Sequence, residues 1–287
     1  MSRTEHADPS SAYAGASVGE EVISRGGIEQ YRRTFDAENP VARVLLVHGI
    51  AEHSGRYEHI GAKLAEAGFS VLAYDHYGHG RSGGVRGHVP SFDVFLDDLE
   101  DNLGELRDSG DPVILFGHSM GGLIATAYAV SERPQPDVLL LSGPALGADV
   151  PKWQSIGAPI VGKIAPKLFI KNEFDGSLLS SNPAVGAVYD SDPLRIQGAT
   201  AGLGLALFKA MESTNANLSN ISIPTLVMHG GGDRIVPERY SAPIADLPVA
   251  TRHVLPGLEH EILNENSWES TLNTYISFAK GALGLTP

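Results

Sequence analysis

Apolar runs recur along the chain at Val44–Val47, Phe69–Tyr74, Val113–Phe116, Val138–Leu141, Thr225–Met228 and His253–Leu255. They do not alternate with polar residues, so each reads as a strand covered on both faces, as in a parallel sheet flanked by helices. Helical periodicity fills the gaps between them. Phe92, Phe95, Leu96, Leu99, Leu103 and Leu106 share one face with Asp and Glu opposite, and Ser91, after Pro90, reads as the N-cap. Trp268, Leu272, Tyr275, Ile276 and Ala279 give a similar helix near the C-terminus. Glu20–Ile23 and Gln30–Phe35 flank Arg25-Gly26-Gly27, which predicts a hairpin, because paired glycines supply the positive φ of a tight turn. Strand and helix in alternation predict a doubly wound α/β fold with a mostly parallel sheet.

One stretch breaks this alternation. The 78 residues of 143–220 separate the run at Val138 from the run at Thr225. Connections in α/β units are far shorter, which predicts an inserted helical lid. The expected organisation is a loose tail at 1–18, a core built from 19–142 and 221–287, and the lid at 143–220. Within the lid, Lys152, Lys163, Lys167 and Lys171 are four of the chain's seven lysines, and no Asp or Glu lies between Lys152 and Asn172. Trp153, Ile156, Ile160, Val161, Ile164, Leu168 and Phe169 fill the same window, broken by Pro159 and Pro166. Such a patch predicts either a transient contact with a membrane or micelle surface or the wall of an apolar pocket.

Composition narrows the chemistry. The chain has 287 residues, enough for a full core, and 21 Lys+Arg against 34 Asp+Glu leave a net charge of −13. Nucleic acid is therefore excluded as a partner, since phosphate neutralisation needs clustered cations. The absence of cysteine removes disulfides, thiolate metal sites and cysteine nucleophiles together. No run approaches the roughly 20 apolar residues of a spanning helix. Met1–Gly19 has no apolar signal-peptide core, so the expected location is cytoplasmic, at most peripheral to a membrane.

Gly117-His118-Ser119-Met120-Gly121 follows one apolar strand and precedes the helix-like Leu123–Val130, the strand–turn–helix context of a nucleophile elbow. A sharp turn lifts the Ser119 hydroxyl out of the sheet, and side chains at Gly117 and Gly121 would collide with their surroundings. A serine needs a histidine to take its proton and a carboxylate to orient that histidine, in the chain order Ser, acid, His. After Ser119 the histidines are His229, His253 and His260. His229 and His253 lie at strand ends and read as packed residues, whereas His260 lies in a loop past the last strand and is the expected general base and acid. Asp233, in the glycine loop after the Thr225 strand, is the expected acid. Asp190, Asp192 and Asp246 are the alternatives, the first two in the lid and the third in a helix-like stretch. The oxyanion donors are expected to be the backbone N–H groups of Met120 and Ile50, with His48 and His118 bracing their loops.

At this point a resemblance becomes specific. His48-Gly-Ile-Ala-Glu-His-Ser-Gly-Arg-Tyr57, Asp75-His-Tyr-Gly-His-Gly-Arg-Ser-Gly83, the elbow, Tyr189-Asp-Ser-Asp-Pro-Leu194 and Pro256-Gly-Leu-Glu-His260 resemble the monoacylglycerol lipases of the α/β-hydrolase superfamily in order and spacing. The resemblance implies an α/β-hydrolase fold and cleavage of a monoacylglycerol, or a similar lipid ester, to fatty acid and glycerol without a cofactor. It also implies that Glu52, Arg56 and Tyr189 lie toward the glycerol. Ile50, bulkier than the small residue common there, and Arg195-Ile196-Gln197 after the lid motif depart from the pattern and bear on substrate fit. A carboxylesterase or lysophospholipase with the same triad is the alternative, and a non-catalytic receptor on the same fold is a remote one. Dehalogenase and epoxide hydrolase relatives are disfavoured, since their elbow carries Asp where this chain has Ser119. The oligomeric state is left open.

Overall fold

The computed structural model describes residues 18–149, 160–171 and 175–285. The expected tail at 1–18 therefore falls outside the description except for its last residue. In chain order come β1 (Gly19–Arg25), β2 (Ile28–Phe35), β3 (Ala42–Val47), α1 (Glu58–Glu66), β4 (Phe69–Tyr74), α2 (Asp93–Arg107), β5 (Val113–His118), α3 (Met120–Ala129) and β6 (Val138–Ser142). After them come β7 (Phe169–Lys171), α4 (Pro183–Ser191), β8 (Gly198–Thr200), α5 (Ala201–Ala216), β9 (Thr225–Gly230), β10 (Ala250–Leu255) and α6 (Trp268–Ala282).

Eight strands form one sheet in the order β1-β2-β4-β3-β5-β6-β9-β10. The hairpin pairs β1 with β2 antiparallel across Gly26 and Gly27, both at positive φ, and β2 joins β4 antiparallel; every other pairing is parallel. The unbroken apolar runs are explained by what covers them. Leu45, Val47, Leu115, Leu139 and Val227 pack on one face with Phe95, Leu99 and Leu103 of α2 and Leu123 and Ile124 of α3. Val44, Leu46, Ile114, Phe116, Leu140 and Leu226 pack on the other with Ile60 and Leu64 of α1 and Leu272, Tyr275 and Ile276 of α6. Within this sheet only β1 and β10 stay largely open to solvent, so the expectation of a strand covered on both faces fails for His253–Leu255, which lies at the sheet's edge.

One local expectation is corrected. Ser91 does not cap α2: Phe92 precedes the helix at φ −63°, ψ −27°, with no side-chain cap bond. The Val94 N–H, which a Ser91 hydroxyl would have to accept, bonds to the Ser91 carbonyl instead, and Phe95 bonds to the Phe92 carbonyl, so the first turn closes through the backbone.

The segment between β6 and β9 carries α4, α5 and a two-stranded antiparallel ladder of β7 with β8. These three-residue strands are too short for a periodic pattern to announce. The segment is tied to the loops above the sheet by backbone bonds from Ile196 to the Ala51 oxygen (3.1 Å) and from Thr200 to the Gly87 oxygen (2.8 Å). His53 Nε2 adds a contact of 2.7 Å to Asp192 Oδ2. Lys152, Trp153, Ile156 and Pro159 lie outside the described residues.

Candidate active site

The carboxyl ends of parallel strands meet at one edge of the sheet, where their loops can converge on a ligand. Ser119 follows β5 at φ 53°, ψ −117°, a backbone state that costs about 1–3 kcal/mol and persists only when its surroundings impose it. They do so by contact. A β-carbon on Gly121 would stand 2.1 Å from the Val47 oxygen, and one on Gly117 would stand 2.4 Å from the Gly121 oxygen. Only glycine fits either position, so strand and helix close tightly enough to raise the serine.

Ser119 Oγ lies 2.9 Å from His260 Nε2, and His260 Nδ1 lies 2.7 Å from Asp233 Oδ2. All three residues are buried. The loops that bring Asp233 and His260 together are joined by backbone bonds from Gly231 to the Leu255 oxygen and from Gly232 to the Leu258 oxygen, both 2.8 Å. Burial alone would push the His260 imidazole down, but the Asp233 carboxylate outweighs it and holds it above its ordinary value. Asp233 is held well below the usual carboxylate range despite burial, by His260, His229 and the Val236 amide. Asp190 and Asp192 pair instead with Arg195 and His53, and Asp246 is exposed.

Above the serine, a β-carbon on Gly49 would come 3.1 Å from Ser119 Cβ, so the loop after β3 lies against it. The backbone N–H groups of Ile50 and Met120 have no hydrogen-bond acceptor among the described residues. His48 braces this loop: its Nε2 accepts the His76 N–H at 3.0 Å, and Nδ1 lies 2.7 Å from the Gly49 oxygen. His118 lies with its ring 4.8 Å from that of His260 and its Nδ1 3.0 Å from the Ser142 oxygen. Burial, then the neighbouring His260, push His118 down to about 3, so it stays neutral beside the histidine that must titrate.

Glu52, Arg56 and Tyr189 do meet. Glu52 Oε1 receives the Gly49 N–H at 2.5 Å and the Tyr57 hydroxyl at 2.7 Å, and Oε2 receives Arg56 Nε at 3.2 Å. Arg56 Nη2 reaches Glu261 Oε2 at 2.6 Å, and its guanidinium lies 5.1 Å over the Tyr189 ring. The pattern missed Glu261, although it follows His260 directly. It also missed that Asp233 touches His229, and the place of Glu265. The buried Glu265 carboxylate takes the Ser181 and Glu259 amides at 3.0 and 2.9 Å, tying the His260 loop to the inserted segment. A signal was available for Glu261, a carboxylate directly after His260, and for His229, a polar residue ending an apolar run, but none marked Glu265, which lies between Asn264 and Asn266.

Two cavities meet at Ser119, both walled in part by Ile50 and Ile235, and only the smaller also carries charged side chains. One, of about 30 Å³, is lined by Glu52, His118, Tyr189, His260 and Glu261. The other, of about 200 Å³, is lined by Ile50, Leu123, Leu207, Phe208, Met211 and Val236. A larger groove of about 810 Å³ runs along the opposite side of α5 past Leu205 and Lys209 and does not reach Ser119. Among the described residues no group of three or more His, Asp or Glu side chains is placed to hold a metal ion.

A sheet of this order, carrying a serine on a strained turn after β5 with histidine and aspartate from the last two strand loops, is the α/β-hydrolase fold. A family model described as serine aminopeptidase, S33, matches residues 38–267. The chain is 36% identical over 268 residues to a monoacylglycerol lipase of Mycolicibacterium smegmatis, covering 89% of this chain and 95% of that one. It is 29% identical over 253 residues to a phospholipase of Bacillus subtilis, covering 85% and 97%. The crystal structure of a Paleococcus ferrophilus monoacylglycerol lipase superposes with a TM-score of 0.82 at 32% identity, over 88% of this chain and 99% of that one. The chain belongs to the monoacylglycerol lipase family within that wider serine-hydrolase group.

Proposed function

We propose that this protein is a carboxylic ester hydrolase that cleaves monoacylglycerols to fatty acid and glycerol. The observation that carries the reading is the setting of Ser119, between an apolar cavity suited to an acyl chain and a small pocket into which Glu52, Tyr189 and Glu261 bring polar groups on the alcohol side. Ser119 is the nucleophile, His260 its general base and then acid, and Asp233 the residue that orients His260. Attack on the ester carbonyl gives a tetrahedral intermediate whose oxyanion is stabilised by the Ile50 and Met120 amides. His260 then passes its proton to the departing glycerol oxygen, and a water, deprotonated by the same imidazole, releases the fatty acid.

The alcohol side favours glycerol over a phosphate-bearing leaving group. Two buried carboxylates, Glu52 and Glu261, stand there against one guanidinium, Arg56. Burial, then Glu261, push Glu52 up; burial also works against ionised Glu261, but Arg56 and its other donors hold it down. Both Glu52 oxygens are engaged, so its part is to hold Arg56 and the Gly49 amide in place. Glu261 Oε1 has no hydrogen-bond partner among the described residues, which leaves it able to accept a glycerol hydroxyl. The test compares a monoacylglycerol with the methyl ester of the same acid, alongside a lysophospholipid and an aminoacyl arylamide. Glu261→Gln is expected to lower turnover of the monoacylglycerol about tenfold more than that of the methyl ester, the worth of one hydrogen bond to a charged group. Glu52→Gln should lower both alike, because it loosens the oxyanion loop. Preferred cleavage of lysophospholipid or arylamide by the wild type would overturn the substrate assignment.

Residues 143–220 form the lid in this proposal: Leu179 and Tyr189 wall the small cavity, and Leu207, Phe208 and Met211 wall the apolar one. We further propose that the lid meets lipid. Ile160, Ile164, Leu168, Phe169 and Ile170 are exposed, Ile164 at 79%, beside Lys163, Lys167 and Lys171. An apolar face flanked by ammonium groups suits an anionic lipid surface, where each Lys contributes about 1 kcal/mol, screened by salt. No helix among the described residues is long and apolar enough to cross a membrane. The Ser119→Ala protein is expected to cosediment with anionic vesicles, less so in high salt or when Lys152, Lys163, Lys167 and Lys171 become Gln. Sedimentation indifferent to charge and salt would leave the segment as a pocket wall.

A further inference from the structure

Asp233 touches a second histidine. His229, in β9 and fully buried, places Nε2 3.1 Å from Asp233 Oδ2 and 2.8 Å from the Val236 carbonyl oxygen. Neither neighbour has a hydrogen to give, since Asp233 is held ionised, so Nε2 carries the hydrogen and donates it. On the other side of the ring Nδ1 lies 2.8 Å from Ser241 Oγ, also buried. Ser241 Oγ accepts Arg252 Nε at 3.0 Å and lies 3.0 Å from the Glu238 oxygen. Arg252, in turn, is anchored to the same oxygen at 2.6 Å and to the Glu238 carboxylate. The serine hydroxyl can turn toward His229 or toward the Glu238 carbonyl. In both settings Nε2 of His229 remains a donor.

We propose that His229 is a positioning residue for the triad, fixing the Asp233 carboxylate to the sheet and limiting how strongly Oδ2 draws on His260. This rests on the triad assigned above. The remaining donors to Asp233 cannot do the same. Oδ1 takes the Ile235 and Val236 amides at 2.9 and 2.8 Å, but these belong to the same loop and travel with it. His229 belongs to β9, and its supports Ser241 and Arg252 reach across to β10, the strand that leads to the His260 loop. The chain from Arg252 through Ser241 and His229 therefore refers the carboxylate to both strands that carry the triad's acid and base.

The second effect is electrostatic. Two N–H groups share Oδ2, that of His260 at 2.7 Å and that of His229 at 3.1 Å. Removing the His229 donor concentrates the carboxylate's negative charge on the remaining bond, which stabilises the His260 imidazolium further. The groups facing His260 are Asp233, His118 and Glu261, with Glu52 behind, and of these only Asp233 touches His229. The protonated form of His260 cannot accept the serine proton, so the acid limb of the activity profile must move to higher pH when His229 is lost.

The test uses two variants on a simple soluble ester, with active sites counted by a serine-directed phosphonate. His229→Leu fills the space without a donor and is expected to lower kcat about 10–100-fold, the worth of a hydrogen bond to a charged group. KM should change little, and the acid limb should rise by about half a unit. His229→Gln presents an amide N–H to the same oxygen and should return kcat to within about threefold of wild type, with the limb restored. A folded Leu variant with the wild-type limb overturns the proposal. So does a Gln variant that loses tenfold or more, whether or not the Leu variant folds. Failure of the phosphonate to label Ser119 in the wild type would instead count against the triad itself.

Discussion

Ser119→Ala is expected to lower kcat/KM for any ester by about 10⁴–10⁶, the range for removal of an activated serine nucleophile. The loss is large because no neighbouring group can substitute. Its chain neighbour His118 is held neutral with its Nδ1 on the Ser142 oxygen. Alanine leaves the elbow intact, since Gly117 and Gly121 make the close approaches and the side chain at 119 only extends from them. The melting temperature should therefore stay within a few degrees, and a phosphonate that labels the wild type should leave the variant unlabelled. Activity above about 1% of wild type, with purity checked by that same labelling, would place the nucleophile elsewhere.

Asp233→Asn is expected to cost about 10⁴ in kcat, as in other triads where this amide imposes the wrong tautomer. The local structure dictates which way the amide turns. Two backbone N–H groups, of Ile235 and Val236, face Oδ1, so the amide oxygen must sit there and its NH₂ must face His260 Nδ1. Two donors then oppose each other unless Nδ1 gives up its hydrogen. The hydrogen moves to Nε2, facing Ser119 Oγ, where the ring can no longer accept a proton. The pH profile adds a signed check. In the wild type Asp233 holds the His260 imidazole above its ordinary value; since the protonated ring is inactive, activity should fall away through a limb above about 6.5 as pH drops. In Asp233→Asn that stabilisation is gone and the limb of the residual activity should move down. An unchanged limb, or near-wild-type turnover, would mean that another carboxylate orients His260.

Much of this was legible because it depends on short-range chemistry. The unbroken apolar runs marked strands, and each of the six lies within one; five are covered on both faces, whereas His253–Leu255 lies in the open edge strand β10. The glycines around Ser119 marked a turn that admits no β-carbon, and Gly117 and Gly121 leave no room for one. Order along the chain pointed to His260 and Asp233, and the structure brings both into one hydrogen-bonded line with Ser119, because loops at the carboxyl ends of parallel strands share one edge. Where a local rule failed, a backbone bond took its place: Ser91 had the right side chain for a cap, but the Val94 N–H bonds to its carbonyl.

The sequence by itself thus determined the sheet, the elbow and the three residues in line, since these follow from periodicity, steric limits and chain order. It did not determine who shares Asp233, because His229 of β9 meets it, and Ser241 meets His229 from the turn before β10, only when those elements pack. It did not determine that Arg56 would bridge Glu52 and Glu261, residues 205 apart in one of those two pairs. Nor did it show that α5 would present one face to the site's apolar cavity and another to a groove beyond it. Hydrogen bonds and cavities are properties of distance between atoms. A pattern along the chain fixes distance only over the few residues of a turn, and beyond that the packed sheet decides it.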